Sequence, residues 1–139
     1  MKNITILFRS KKGTTNAFAR EIGYYLKQKG NNVTVKSIDD YSDELVQKAD
    51  IVFLGCWTQG MFLMFQHPDR EWKQFAKHLP PLKSQKTVLF TTYKVYTGKM
   101  FKSMHRHLKD KISSVEATIK SRNNSLSDQN KHILDTLVD

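Results

Sequence analysis

Arg9-Ser10-Lys11-Lys12-Gly13-Thr14-Thr15 stands between an apolar run, residues 4–8, and a helical pattern that begins near Thr15. The run Ile4-Thr5-Ile6-Leu7-Phe8 is apolar at four of its five positions, the pattern of a short strand covered on both faces. A buried strand that opens into a glycine among hydroxyl side chains, and then into a helix, makes an anion site. The first backbone N–H groups of a helix have no partner within it, and the helix dipole favours negative charge there. Gly13 permits close approach of the backbone, Ser10, Thr14 and Thr15 bring hydroxyls, and Lys11 and Lys12 bring charge. The same residues also suit an ordinary strand–loop–helix connection whose hydroxyls only cap the helix. The rest of the chain decides between the two.

Outward from this loop, the first helix carries Phe18, Ile22, Tyr25 and Leu26 on one face and stops at Gly30-Asn31-Asn32. Residues 33–38 alternate as a second strand, and residues 39–48 read as a weak helix with Leu45 and Val46 as its apolar side chains. The clearest buried strand is Ile51-Val52-Phe53-Leu54-Gly55, followed by an aromatic and methionine-rich stretch over residues 56–65. A helix is predicted over residues 69–78 and is broken by Pro80-Pro81. Residues 87–91 form the fourth strand, 92–98 a loop, 99–112 a helix, 115–119 the last strand and 127–138 the last helix, capped by Ser125 or Ser127. Strands that alternate with helices predict an α/β fold, a doubly wound five-stranded parallel sheet with helices on both faces, in one domain over residues 1–139.

Composition narrows the function classes. No run of about 18 apolar residues is present, so no membrane span is expected. Met1-Lys2-Asn3-Ile4 leads directly into a strand without the composition of a secretory signal, and a cytoplasmic protein is expected. Cys56 is the one cysteine, which leaves no intrachain disulfide and no cysteine-based zinc site. The 23 Lys and Arg against 13 Asp and Glu give a net charge of +10, and residues 77–111 hold nine of the cations against the single acid Asp110. Such a field speeds encounter with an acidic partner by about ten- to a thousandfold at low salt; a lysine-rich solubilising surface has the same composition.

In open α/β sheets ligands bind beyond the carboxyl ends of the strands, where strand order reverses. Loops 9–15, 55–66 and 91–98 lie at that edge. The first suits phosphate, while the others carry Trp57, Tyr93 and Tyr96. A planar heteroaromatic ligand would cover such aromatics, gaining about 0.5–1.5 kcal/mol per stacked pair beyond burial. Phosphate at one end and a ring between aromatics at the other is the layout of a mononucleotide site.

Over nearly its whole length the chain resembles the flavodoxin family. Ser10-Lys11-Lys12-Gly13-Thr14-Thr15 is similar to that family's phosphate loop, with Lys12 in place of a hydroxyl. Gly55-Cys56-Trp57-Thr58-Gln59-Gly60 looks like its first ring-contacting loop, and Thr91-Thr92-Tyr93-Lys94-Val95-Tyr96-Thr97-Gly98 stands where the second belongs. The last strand carries no inserted loop, as in short-chain members. The resemblance implies strand order 2-1-3-4-5, FMN as cofactor and electron transfer as function. Ser10, Lys11, Lys12, Gly13, Thr14 and Thr15 would hold the phosphate. Trp57 would stack on or edge the flavin, and backbone groups of Thr58, Gln59 and Gly60 would face its redox-active edge. Tyr93 or Tyr96 would cover the other face, in a loop that runs from Thr92 through Lys94 to Gly98.

Relatives of this kind are typically acidic, whereas this chain is basic, so the expected redox partner is a protein with an acidic docking surface. Lys12 and Lys94 beside the flavin would raise the potential of its second reduction step. Residues 61–65 suit a hydrophobic wall beside the flavin, an interface or the core. Two alternatives stand beside the carrier: a small FMN-dependent oxidoreductase acting directly on an apolar substrate, and a basic nucleic-acid-binding module using the stripe Lys99, Lys102, Arg106 and Lys109. The second lacks a recognisable motif and leaves the converging loops unexplained. The five histidines are too scattered, or in His105 and His107 too far round a helix, to share a metal.

Overall fold

Apolar strands and amphipathic helices alternate in the computed structural model, which describes residues 1–61 and 64–139. In chain order the elements are β1 (Asn3–Arg9), α1 (Thr14–Gln28), β2 (Asn32–Ser37), a 3-10 turn (Ile38–Asp40), α2 (Asp43–Gln47), β3 (Ile51–Trp57), β4 (Gln59–Met61), β5 (Met64–His67), α3 (Arg70–His78), β6 (Lys86–Thr92), α4 (Met100–Leu108), β7 (Val115–Ser121) and α5 (Asp128–Val138). The main sheet runs β2-β1-β3-β6-β7 with every pair parallel. Counting only its strands, this is the expected order 2-1-3-4-5, and the order reverses at β1 and β3.

Side-chain alternation along the central strands builds one core on each face of the sheet. Ile4, Ile6 and Phe8 of β1 pack with Phe18, Ile22 and Leu26 of α1 and with Leu134 of α5. Leu7, from the same strand, points the other way to join Val52, Leu54, Trp72 of α3, and Met104 and Leu108 of α4. At Gly55 in β3 an added Cβ would stand 2.2 Å from the ring of Phe90 on β6, so only glycine admits that ring.

Three segments differ from the sequence reading. The stretch after β3 pairs with itself as an antiparallel hairpin, Gln59 opposite His67 and Met61 opposite Met64. Of residues 61–65, expected as a wall, an interface or core, Phe62 and Leu63 lie outside the described residues, and Phe65 is 69% exposed rather than core. Residues 39–48 are too short of apolar periodicity to hold one helix. They divide into the 3-10 turn, capped by the Ser37 hydroxyl accepting from Asp39 N–H, and the short α2. Helix α4 ends at Leu108, and Ile112 is instead buried in a turn that bridges to Leu82. Of the two expected caps for the last helix it is Ser127 that serves, accepting from Asn130 N–H at 3.0 Å. Among the described residues no helix is long and apolar enough to cross a membrane.

Candidate functional site

Strand β1 ends at the start of the Ser10–Thr15 loop, and Gly13 turns the chain into α1 with φ +97°. That left-handed conformation strains most residues with a Cβ, asparagine and aspartate least. No side chain caps α1, so the N–H groups of its first turn and the positive end of its dipole face outward. The Ser10 hydroxyl accepts a hydrogen bond from Gly13 N–H at 3.0 Å and holds the loop in shape. Lys11, Lys12 and Thr14 are exposed, whereas Thr15 is buried. The Thr15 hydroxyl does not project as a free donor: it meets that of Thr92 at 2.7 Å.

The second loop leaves β3 at Trp57, which is half-buried against the α3/α4 core. Its indole N–H donates to Asp69 Oδ2 at 2.6 Å, and Lys11 Nζ lies 4.9 Å from its ring centroid. Thr58 is tied to β6 twice, by hydroxyl contact with Thr91 at 2.7 Å and by its N–H to Thr92 O at 2.9 Å. Gln59 and Gly60 are exposed where the hairpin begins. In the third loop Thr92 is buried, and Tyr93 N–H donates to Ser121 O at 3.1 Å. The Tyr93 ring is flanked by Lys120 Nζ at 5.9 Å and Arg122 Cζ at 5.8 Å. Lys94, Val95 and Tyr96 are exposed beyond it.

The loops enclose a cleft of about 490 Å³, within the range of small-molecule sites. Of the residues singled out from sequence, Lys11, Lys12, Thr14, Thr15, Trp57, Thr58, Gln59, Gly60, Thr92, Tyr93, Lys94 and Tyr96 line it. Ser10, Gly13 and Gly98 lie outside that lining; Ser10 and Gly13 belong to the turn behind it. Gln66, Val95 and Arg122 line it as well. Arg122 was legible in principle, because a parallel strand beside β6 must end next to Tyr93, and Thr92 is in register with Ser121. Gln66 was not, since it enters through a hairpin with no turn signal.

Among the described residues of the lining the charged ones are Lys11, Lys12, Lys94 and Arg122, and none is a carboxylate. Behind Trp57 lies one buried acid, Asp69, 3% exposed. Burial pushes its carboxyl up, but hydrogen bonds from Arg9, Trp72 N–H and Trp57, with the charge of Arg9, outweigh that and hold it below the ordinary value. The Arg9 guanidinium is raised in return, chiefly by its hydrogen bond to Asp69. Burial pushes the Cys56 thiol well up, so that thiol is no nucleophile near neutrality.

A family model described as a flavodoxin domain matches residues 5–130. The chain belongs to the flavodoxin family. Among solved structures it is similar to the two-electron-reduced flavodoxin of Megasphaera elsdenii, with TM-score 0.80 and 24% identity over 95% of this chain and 96% of that one. Oxidised flavodoxin 1 of Bacillus cereus gives TM-score 0.67 at 18% identity, over 96% and 93% of the two chains. Rubredoxin oxygen:oxidoreductase of Desulfovibrio gigas gives 0.66 at 16%, with 97% of this chain covering 34% of that larger one. At these identities the likeness is one of fold. No curated protein matches the chain.

FMN is the cofactor of this flavodoxin fold, and the residues present fit it. The uncapped start of α1 offers N–H donors beside Lys11 and Lys12 to a phosphate. The cleft continues from there to aromatic walls at Trp57, Tyr93 and Tyr96.

Proposed function

We propose that this flavodoxin holds FMN in the cleft and exchanges electrons with a protein whose docking surface is acidic. The observation that carries the reading is the cleft itself, with an uncapped helix start at one end, aromatic walls at the other and four cations but no carboxylate in its lining. The N–H groups of the first turn of α1, with Lys11, Lys12 and Thr14, take the phosphate. Ser10 and Gly13 shape the loop, and Thr15 fixes it to β6. Trp57 forms one wall of the ring site, backbone groups of Thr58, Gln59 and Gly60 face the flavin's redox-active edge, and Tyr93 or Tyr96 covers the other side, with Thr92 and Gly98 bounding that loop. FMN supplies one- and two-electron chemistry when bound; this chain supplies orientation and field.

The partner reading rests on charge. Lys94 at the cleft mouth continues into Lys99, Lys102, Arg106 and Lys109, all exposed on and around α4. Exposed Tyr96, Val95 and Phe65 add apolar contact area. Cations with an apolar centre suit an acidic protein surface, which would be steered in at low salt.

Titration of the purified protein with FMN tests the cofactor, with one equivalent bound and its fluorescence quenched as the expected result. Absence of binding at micromolar concentration overturns the reading. Turnover measured with and without a separate acceptor protein then distinguishes a carrier from an enzyme that reduces its substrate directly.

A further inference from the structure

Asp69 uses its two carboxylate oxygens differently. Oδ1 accepts from Trp72 N–H at 3.0 Å and so caps α3, with Cys56 Sγ 3.8 Å away. Oδ2 accepts from Arg9 Nε at 2.7 Å and from Trp57 Nε1 at 2.6 Å. Capping needs only the first oxygen, and serine, threonine or asparagine would provide it. A buried charge carries a desolvation cost that a neutral cap would not. The charge and the second oxygen therefore call for another explanation: the charge is met by Arg9, and the oxygen that Arg9 shares is the acceptor of the Trp57 indole.

We infer that Asp69 is a positioning residue, which fixes the indole of Trp57 as a wall of the cleft while Arg9 balances its charge. The inference rests on the FMN reading of that cleft. An indole N–H lies in the plane of its ring, so a bond to it restrains the ring by its edge without itself covering either face. The face of Trp57 meets Lys11 at 4.9 Å. Arg9 and Lys11 are close neighbours in sequence at the start of the phosphate loop. That loop therefore grips Trp57 from two directions, through Asp69 at the edge and through Lys11 at the face. Trp72 provides the contrast within the same chain. Its indole N–H is buried without an acceptor, so indole donors are not satisfied here as a matter of course.

The two tryptophans give two indole N–H resonances, and Trp57→Phe assigns them. In the wild-type protein the Trp57 proton should lie downfield and exchange with water at least about tenfold more slowly than free indole. Asp69→Asn keeps the shape and the cap of α3 but loses the charge. It should move the Trp57 resonance and weaken FMN binding about tenfold. In the Trp57→Phe background the same change should alter FMN affinity less than about twofold, because the N–H it served is gone. Equal losses in both backgrounds, or an unmoved Trp57 resonance, overturn the inference. If Asp69→Asn does not fold, the wild-type exchange rate still decides, since exchange at the free rate means no such bond. Failure of the wild-type protein to bind FMN overturns the cofactor reading instead, and the resonances report on Asp69 independently of it.

Discussion

The hydroxyls of Thr15 and Thr92 stand 2.7 Å apart, joining the first turn of α1 to the last residue of β6 beneath the cleft. Both side chains are almost fully buried. Each therefore depends on the other, and removing one leaves an unpaired polar group. Thr15→Val or Thr92→Val alone should cost about 1–3 kcal/mol in urea denaturation. The double variant should cost clearly less than the sum. Strict additivity would show that the two hydroxyls do not depend on each other.

Gly13 combines a left-handed backbone with open space, since an added Cβ would meet nothing within 4 Å. Backbone strain and phosphate binding can thus be separated at this position. Gly13→Asn, which tolerates the conformation, should keep most FMN affinity and lose about 1 kcal/mol of stability or less. Gly13→Asp has similar geometry but sets a negative charge against the phosphate, and should abolish FMN binding. Stoichiometric flavin in Gly13→Asp would refute the loop assignment.

The cations of the cleft should set the redox potential. Lys94 and Arg122 lie in its lining with no carboxylate to offset them, and positive charge favours the reduced, more negative state of the cofactor. Lys94→Met and Arg122→Met should each lower the potential of the second reduction step. The scale is on the order of 1 kcal/mol, or about 40 mV for one electron, and it should shrink at high salt. Spectroelectrochemistry reads this directly, and an upward shift in either variant would contradict it.

Acid should reveal the Arg9–Asp69 pair. The native protein holds Asp69 below its ordinary pKa, so on acidification the unfolded chain takes up the proton first. The stabilisation is complete near neutrality and above the ordinary carboxylate range, and is lost as pH falls through that range toward the native value. Thermal melts between pH 7 and pH 3 should fall more steeply for the wild-type protein than for Asp69→Asn. Parallel curves would show that the pair contributes nothing to the acid limb. Asp135, also lowered, first by Lys29 and then by Tyr25, adds to the same slope in both proteins.

The fold was legible because its determinants are local. Residues 4–8 and 51–55 are unbroken apolar runs, and Gly13 and Gly30 punctuate α1 where the chain turns at positive φ. The turn at Gly13 and the start of α1 were legible for the same reason. The hairpin was not, because its pairing of Gln59 with His67 follows from neither alternation nor a turn motif. The role of Asp69 was hidden too. Its sequence position announces a helix cap, and only the packing of β1 and β3 against α3 brings Arg9 and Trp57 to its other oxygen.

Thr91 and Thr92 hold the Thr15 and Thr58 loops to the end of β6, and both precede the exposed segment of Lys94, Val95 and Tyr96. Anchorage and the exposed lining of the cleft are thus written in separate, adjoining parts of the chain. On the proposed FMN reading, substitutions at exposed Lys94, Val95 and Tyr96 would re-tune what touches the ring while the Thr15 and Thr58 anchors stay in place. Within a family that keeps one architecture, such a division lets a lineage change its electrochemistry and its partners without rebuilding its cofactor site.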